Sequence, residues 1–155
     1  MIWVLVVVQW LHVFFAIFWF GAVLTIDFLV IPTALSLPAQ VQQTFGGAFG
    51  QRAPKVVLPV AIIAIVLGII RGVTGGVLGN IGSAYGLTWT ASLVLGIGLA
   101  CWGYFLIAPT ADRLQKIAPG AKFDAAIARI RVLTISELFG FAVILTFMIA
   151  MRFGF

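Results

Sequence analysis

The sequence has few charged residues, one cysteine and one histidine. Charged residues make up 8% of the 155 positions while 63% are hydrophobic, which excludes an ordinary soluble domain. The single cysteine, Cys101, excludes an intramolecular disulfide and any site built from a cysteine pair. Glycine-rich phosphate loops and nucleotide motifs are also lacking. The net charge of +5 is explained by basic anchors in loops, so we expect no nucleic acid partner.

Long apolar runs make up most of the sequence. Four of them cover roughly 3–31, 56–79, 87–107 and 132–151, and about 20 apolar residues suffice to cross a bilayer. We therefore predict a single domain over 1–155, all-α and integral to the membrane. Its predicted architecture is a four-transmembrane-helix up-down bundle whose main partner is the lipid bilayer. Pro32 and Pro38 are predicted to end span one and to begin a polar connector, and Pro59 to lie in the first turn of span two.

Glycines recur in span two at the spacing of one helix face. One row is Gly68, Gly72 and Gly76, and a second is Gly75 and Gly79. Small residues at this spacing let helices approach closely in lipid. We expect these faces to pack against other helices, in a homo-oligomer or against other membrane subunits.

The basic residues predict the orientation. The connectors 33–55 and 110–131 lie on one side and together hold seven Lys and Arg, against Arg152 alone on the other side. By the positive-inside rule both connectors are cytoplasmic and both termini lie outside, in a bacterial inner membrane. Residues 40–49 are predicted as a short interfacial helix. A turn at Pro119-Gly120 would let spans three and four extend into the cytosol as a helical hairpin.

Polar residues of span one fall on a single stripe. At about 100° per residue, one face collects Gln9, His12, Ala16, Trp19, Val23 and Asp27. Unpaired polar groups are costly in lipid, so this stripe is predicted to face the inside of the bundle and to include the functional site.

Depth along the helices predicts two polar layers. His12 and Arg71 each lie about 12–13 Å from the outer ends of their spans, at 1.5 Å per residue. Asp27 and Glu137 each lie about 6–7 Å from the inner ends of theirs. The intramembrane acidic residues Asp27 and Glu137 would bind a cation or relay protons if they approach each other. The alternative is pairing at the cytoplasmic interface with Arg52, Lys55, Arg129 or Arg131.

His12 has three interpretations: a metal or haem ligand, a proton carrier, or a hydrogen bond to a neighbouring helix. Met148 and Met151 share a face of span four, and thioether with imidazole suits Cu(I) or a His/Met haem. The alternative for both methionines is packing against core or lipid.

Arg71 would bind an anionic group such as a haem propionate or a lipid phosphate, or extend to the outer surface.

Short motifs resemble a known family. Leu11-His12 followed after six residues by Trp19-Phe20-Gly21 is similar to the L-H-x6-W-x-G opening of the copper-resistance protein D-like membrane domain. The basic lead into span four, with Glu137 in Ile135–Leu138, resembles that family's last helix. The opening is also distantly similar to bacterial four-helix protoporphyrinogen oxidases, whose pattern expects a lysine in the third span. This chain has none between Lys55 and Lys116.

The resemblance implies a small membrane protein that handles copper or binds a haem, such as haem b, near His12. Its cofactor candidates are His12, Arg71 and Trp19, its metal candidates His12, Met148 and Met151, and no catalytic residue is assigned. A haem-linked oxidase would need the missing lysine, so the expectation is closer to a non-enzyme. The alternative function is a non-catalytic accessory subunit of a larger respiratory or photosynthetic membrane complex.

Overall fold

Four long helices form the protein. The computed structural model describes residues 2–114, 116–117 and 121–154, is 92% helical and has no strand in those ranges. The helices are α1 (Ile2–Leu35), α2 (Ala39–Thr74), α3 (Ala84–Leu114) and α4 (Ala121–Arg152). All four are long and apolar enough to span a membrane, which confirms the predicted class of fold. The predicted turn at Pro119-Gly120 lies outside the described residues.

Helix α1 does not end at Pro32, contrary to the prediction. A π-helical turn occupies Ile26–Val30, and the chain then continues as an α-helix to Leu35. Proline has no N–H and its ring crowds the carbonyl four residues earlier. That carbonyl belongs to Phe28, inside the π turn, where the wider backbone accommodates the ring. The helix therefore passes through Pro32.

Helix α3 repeats this device. A π turn at Gly103–Ile107 is followed by Pro109 within the α-helical segment Ala108–Leu114. In both helices the proline comes two residues after the last π residue. The helix of span three consequently extends beyond 107, the predicted end of its apolar run. Helix α4 likewise starts at Ala121 and not near 132, which confirms the extension of both helices beyond the predicted apolar runs.

Helix α2 is one continuous helix of 36 residues. The predicted interfacial helix over 40–49 is its first part, and Pro59 lies in its interior and not in its first turn. Tertiary packing overrides weak local propensity here, because Val57 packs against the hydrophobic core cluster and Phe49 and Pro54 line a cavity between the helices. The prediction of a separate interfacial helix used local sequence alone and did not include this packing.

The end of α2 also differs from the prediction. The helix stops at Thr74, Gly75 is its C-cap, and Gly76 adopts a left-handed conformation with φ +83°. A side chain at that φ would be strained. Gly79 follows in a short 3₁₀ turn. Of the predicted glycine rows, only Gly68 and Gly72 therefore lie on a helix face.

The helices pack in a ring with α1 between α2 and α4. The most extensive contacts join α1 to α2 and α3 to α4, and α2–α3 and α1–α4 contacts close the ring. Each helix contributes to the central core cluster, which consists of Trp19, Val23, Ala61, Ala64, Leu99, Phe141 and Ile144. The predicted stripe of α1 faces this core at its centre, since Trp19 and Val23 are the buried residues of Ile2–Thr25. Gln9, at the start of the stripe, is exposed.

The helix faces that point away from the central core are apolar and exposed. Trp3, Phe28, Phe105 and Phe139 each expose 65% or more of their surface. A soluble domain would bury such side chains, whereas lipid accommodates them. The exposed surface therefore agrees with an integral membrane protein.

Candidate functional site

A cavity of about 270 Å³ lies between the four helices. Its lining begins near the core at Trp19 and Leu99 and extends to Gln42 and Asp112, near the end of the bundle where α1 and α3 finish. Asp27 and Glu137 both line it. The structure thus brings together the two acidic residues that the sequence placed at one depth.

Glu137 is the most buried charged side chain of this site, with 6% of its surface exposed. Gly103 of α3 lies beside it, since a Cβ built on that glycine would be 3.4 Å from Oε1 of Glu137. No hydrogen bond or ion pair to the Glu137 carboxyl occurs within the described ranges. A buried acid without a partner is costly, so this carboxyl requires a proton or a cation from outside the chain.

Asp27 adds a second carboxyl close by. It interacts electrostatically with Glu137, and its Oδ2 atom is buried without a hydrogen-bond partner. Within the described residues, no lysine or arginine lines the cavity. The alternative pairing with Arg52, Lys55, Arg129 or Arg131 is not found in the part of the chain that the structure describes.

Both π turns form walls of the cavity. Asp27 lies in the first of them, and Gly103 and Tyr104 lie in the second. A π turn changes the direction of its side chains relative to a regular helix, and such turns are frequent at functional sites. The backbone irregularities of α1 and α3 therefore meet at the acidic pair.

His12 lies elsewhere, against α2. Its Nδ1 is 2.9 Å from the carbonyl oxygen of Ala64, so Nδ1–H donates and Nε2 keeps its lone pair in the neutral ring. The ring packs on Gly68, where a built Cβ would be 2.9 Å from Cε1. This is the predicted hydrogen bond to a neighbouring helix, and it leaves one ring nitrogen available.

Arg71 lies in a surface groove with Gln9, Trp10 and Val13 of α1. Its Nη1 is directed toward Gly75, at the C-terminal end of α2, and lies 2.7 Å from the position that a Cβ on that residue would take. Its Nε is buried without a partner in the described chain. This direction, toward the end of the bundle that the basic connectors predict to be outer, agrees with the alternative of an arginine that extends toward that surface.

The remaining candidates have apolar neighbours. Trp19 is 6% exposed and its ring meets that of Phe141 edge-on at 4.9 Å. Met148 packs against the core cluster, and Met151 is half-buried. No group of three or more His, Cys, Asp and Glu able to hold a metal ion occurs among the described residues.

The sequence did not reveal the walls of the cavity. Phe45 and Phe49 of α2, whose rings stack with centroids 5.8 Å apart, line it, although their segment was predicted to lie at the interface. Tyr104 was also missed. The signal that was present is the pair of prolines, Pro32 and Pro109, which occupy equivalent places after the two π turns.

Comparisons with protein-family models, curated proteins and solved structures found no match for this chain. The structure itself shows an all-helical bundle with four candidate membrane-spanning helices around a cavity lined by Asp27, Asp112 and Glu137.

Proposed function

We propose that this protein binds a cation inside the membrane, at the Asp27–Glu137 pair, and exchanges it with protons. The observation that carries the proposal is Glu137, a side chain that is 6% exposed, lines a cavity and has no partner of its own in the described chain. A carboxylate removed from water must be neutralised. Asp27 lines the same cavity and adds a second carboxyl group that a cation would engage.

The shape of the bundle supports access from one side. The cavity extends toward the ends of α1 and α3, the side that the basic connectors predict to be cytoplasmic. Toward the other side, His12 packs on Gly68 and Trp89 packs on Gly72. These contacts hold α1 and α3 close against α2 toward that side. A cation would therefore enter and leave through the end lined by Gln42 and Asp112.

Chemical labelling tests this proposal. Dicyclohexylcarbodiimide is an apolar reagent that adds to protonated carboxyl groups, and mass spectrometry of the purified protein would locate it. We expect labelling at Glu137 or Asp27, and protection when a bound cation displaces the proton. Glu137→Gln should abolish the label on that residue, whereas Ser136→Ala, which changes a neighbouring exposed side chain, should not. Labelling that no tested cation reduces would contradict the proposal.

A second candidate function is copper handling or haem binding at His12, as the family resemblance implies. The supporting observation is the Nδ1 bond to Ala64, which fixes the ring and leaves Nε2 as a possible ligand. The residues fit this function only in part, because Met148 packs against the hydrophobic core cluster and no group of three or more His, Cys, Asp and Glu able to hold a metal ion occurs in the described residues. A Soret band or bound copper in purified protein, lost in His12→Ala, would support it. Metal analysis without iron or copper would exclude it.

The accessory-subunit function is the remaining proposal. Its support is the exposed apolar surface, which includes faces of α1 and α3 where Gly21 and Gly98 have nothing within 4 Å. Gly68 and Gly72, in contrast, are already covered within the chain by His12 and Trp89. Co-purification with a larger complex in mild detergent tests this function, and a homogeneous small particle in the same detergent would contradict it.

A further inference from the structure

The walls of the cavity indicate which kind of cation it would hold, and this inference rests on the proposed function. Three carboxyl groups line the cavity, those of Asp27 and Glu137 near the core and that of Asp112 toward the end, and most other lining side chains are hydrocarbon or aromatic. The aromatic ones are Trp19, Phe45, Phe49, Tyr104 and Phe123. Calcium and magnesium take six or more oxygen ligands. This cavity offers Asp27 and Glu137 as a pair, and no group of three or more His, Cys, Asp and Glu able to hold a metal ion occurs among the described residues.

An apolar organic cation matches these walls. Its hydrocarbon surface would leave water and pack against the aromatic and aliphatic side chains, which is favourable. Its positive charge would be attracted by aromatic ring faces as well as by the carboxylates. The volume of about 270 Å³ is close to the lower end of the range for small-molecule pockets, which is about 300 Å³. The space therefore suits a small molecule and not a peptide.

We infer that the cavity binds a hydrophobic organic cation, such as a substituted ammonium or phosphonium ion, with its charge between Asp27 and Glu137 and its apolar groups against the surrounding aromatic side chains. The two carboxyls recognise the charge, and the carbon walls select against hydrated inorganic ions. Binding of a monovalent cation would displace one proton from the pair.

Equilibrium binding of tetraphenylphosphonium to the purified full chain in detergent or nanodiscs tests this inference. We expect saturable binding that Glu137→Gln and Asp27→Asn each weaken tenfold or more. Thr25→Ala and Ser136→Ala are matched controls, because each removes an exposed hydroxyl close in sequence to one acid, and both should retain the parent affinity. Trp19→Leu should weaken binding several-fold through the lost aromatic wall. Helical content and elution volume would verify that each variant is folded.

Tetraphenylborate is the decisive control ligand, because it has nearly the same size and the opposite charge. Equal binding of both ions would show partitioning into apolar surface and would overturn the inference. Protection of the carboxyls from carbodiimide by sodium, potassium, calcium or copper, without tetraphenylphosphonium binding, would overturn the organic-cation inference and leave the proposed function intact. The absence of protection by any cation would overturn both.

Discussion

Gly68→Ala is expected to destabilise the bundle by loosening the contact between α1 and α2. The new Cβ would lie 2.9 Å from Cε1 and 3.3 Å from Nδ1 of His12. Carbon atoms in ordinary contact are about 3.5–4.0 Å apart, so the imidazole must move. Its 2.9 Å bond to the carbonyl oxygen of Ala64 would lengthen or break.

The magnitude follows from three contributions. Overpacking a closely packed site costs about 1–3 kcal/mol, and loss of one hydrogen bond costs about 1 kcal/mol. Alanine is favoured over glycine within a helix by about 1 kcal/mol, which offsets part of this cost. We therefore expect the free energy of unfolding to fall by about 1–3 kcal/mol.

Unfolding of the purified protein by titration with sodium dodecyl sulfate, followed by circular dichroism, would measure this change. Gly21→Ala and Gly98→Ala are the controls, since a Cβ at either glycine has nothing within 4 Å. Both should unfold at the parent concentration or above it. Adding His12→Ala to Gly68→Ala should cost less than the two separate changes together, because the clash requires the imidazole. Identical unfolding of Gly68→Ala and Gly98→Ala would refute the close packing of His12 on α2.

Three further predictions concern α3, α4 and the orientation. Trp102→Phe should lower the free energy of unfolding by about 1 kcal/mol, since it removes the bond from the indole N–H to the carbonyl oxygen of Leu133, 3.1 Å away. The same unfolding titration measures it. Gly140→Ala would place a Cβ 2.6 Å from Cδ2 of Leu99, so it should destabilise the protein less when Leu99→Ala is also present. Alkaline phosphatase fused to the C-terminus should be active in bacterial cells if both termini lie outside, and an inactive enzyme there would contradict the predicted orientation.

Much of the fold could be predicted because hydropathy and helical period act over long segments. The four helices and the inward stripe around Trp19 and Val23 follow from apolar length and from 100° spacing. The helix ends could not be predicted in the same way. Pro32 and Pro59 carry a local signal for a helix start or stop, yet packing and a π turn keep the backbone helical through both.

The candidate site was predicted in part for a related reason. Depth alone placed Asp27 and Glu137 in one layer, because 1.5 Å per residue holds along a helix, and the structure places both on one cavity. The same arithmetic placed His12 with Arg71. Their side chains nevertheless point to different partners, since His12 bonds to Ala64 while Arg71 is directed toward Gly75. Depth is readable from sequence, but direction depends on tertiary packing.

Each π turn holds one residue more than a regular α-helix would in the same turn. Deleting Phe28 would remove one residue from Ile26–Val30 and allow a regular α-helix, with almost no change in composition or apolar length. Because a π turn absorbs its extra residue locally, the helix beyond the deletion would keep nearly its present phase. Ile31, Ala34 and Leu35, which line the cavity, would keep their direction, whereas the backbone around Asp27 would lose its π turn. Such a deletion would preserve a membrane-spanning segment and alter the cavity wall at Asp27, so in this protein the number of residues in a helix specifies the site as much as their identity does.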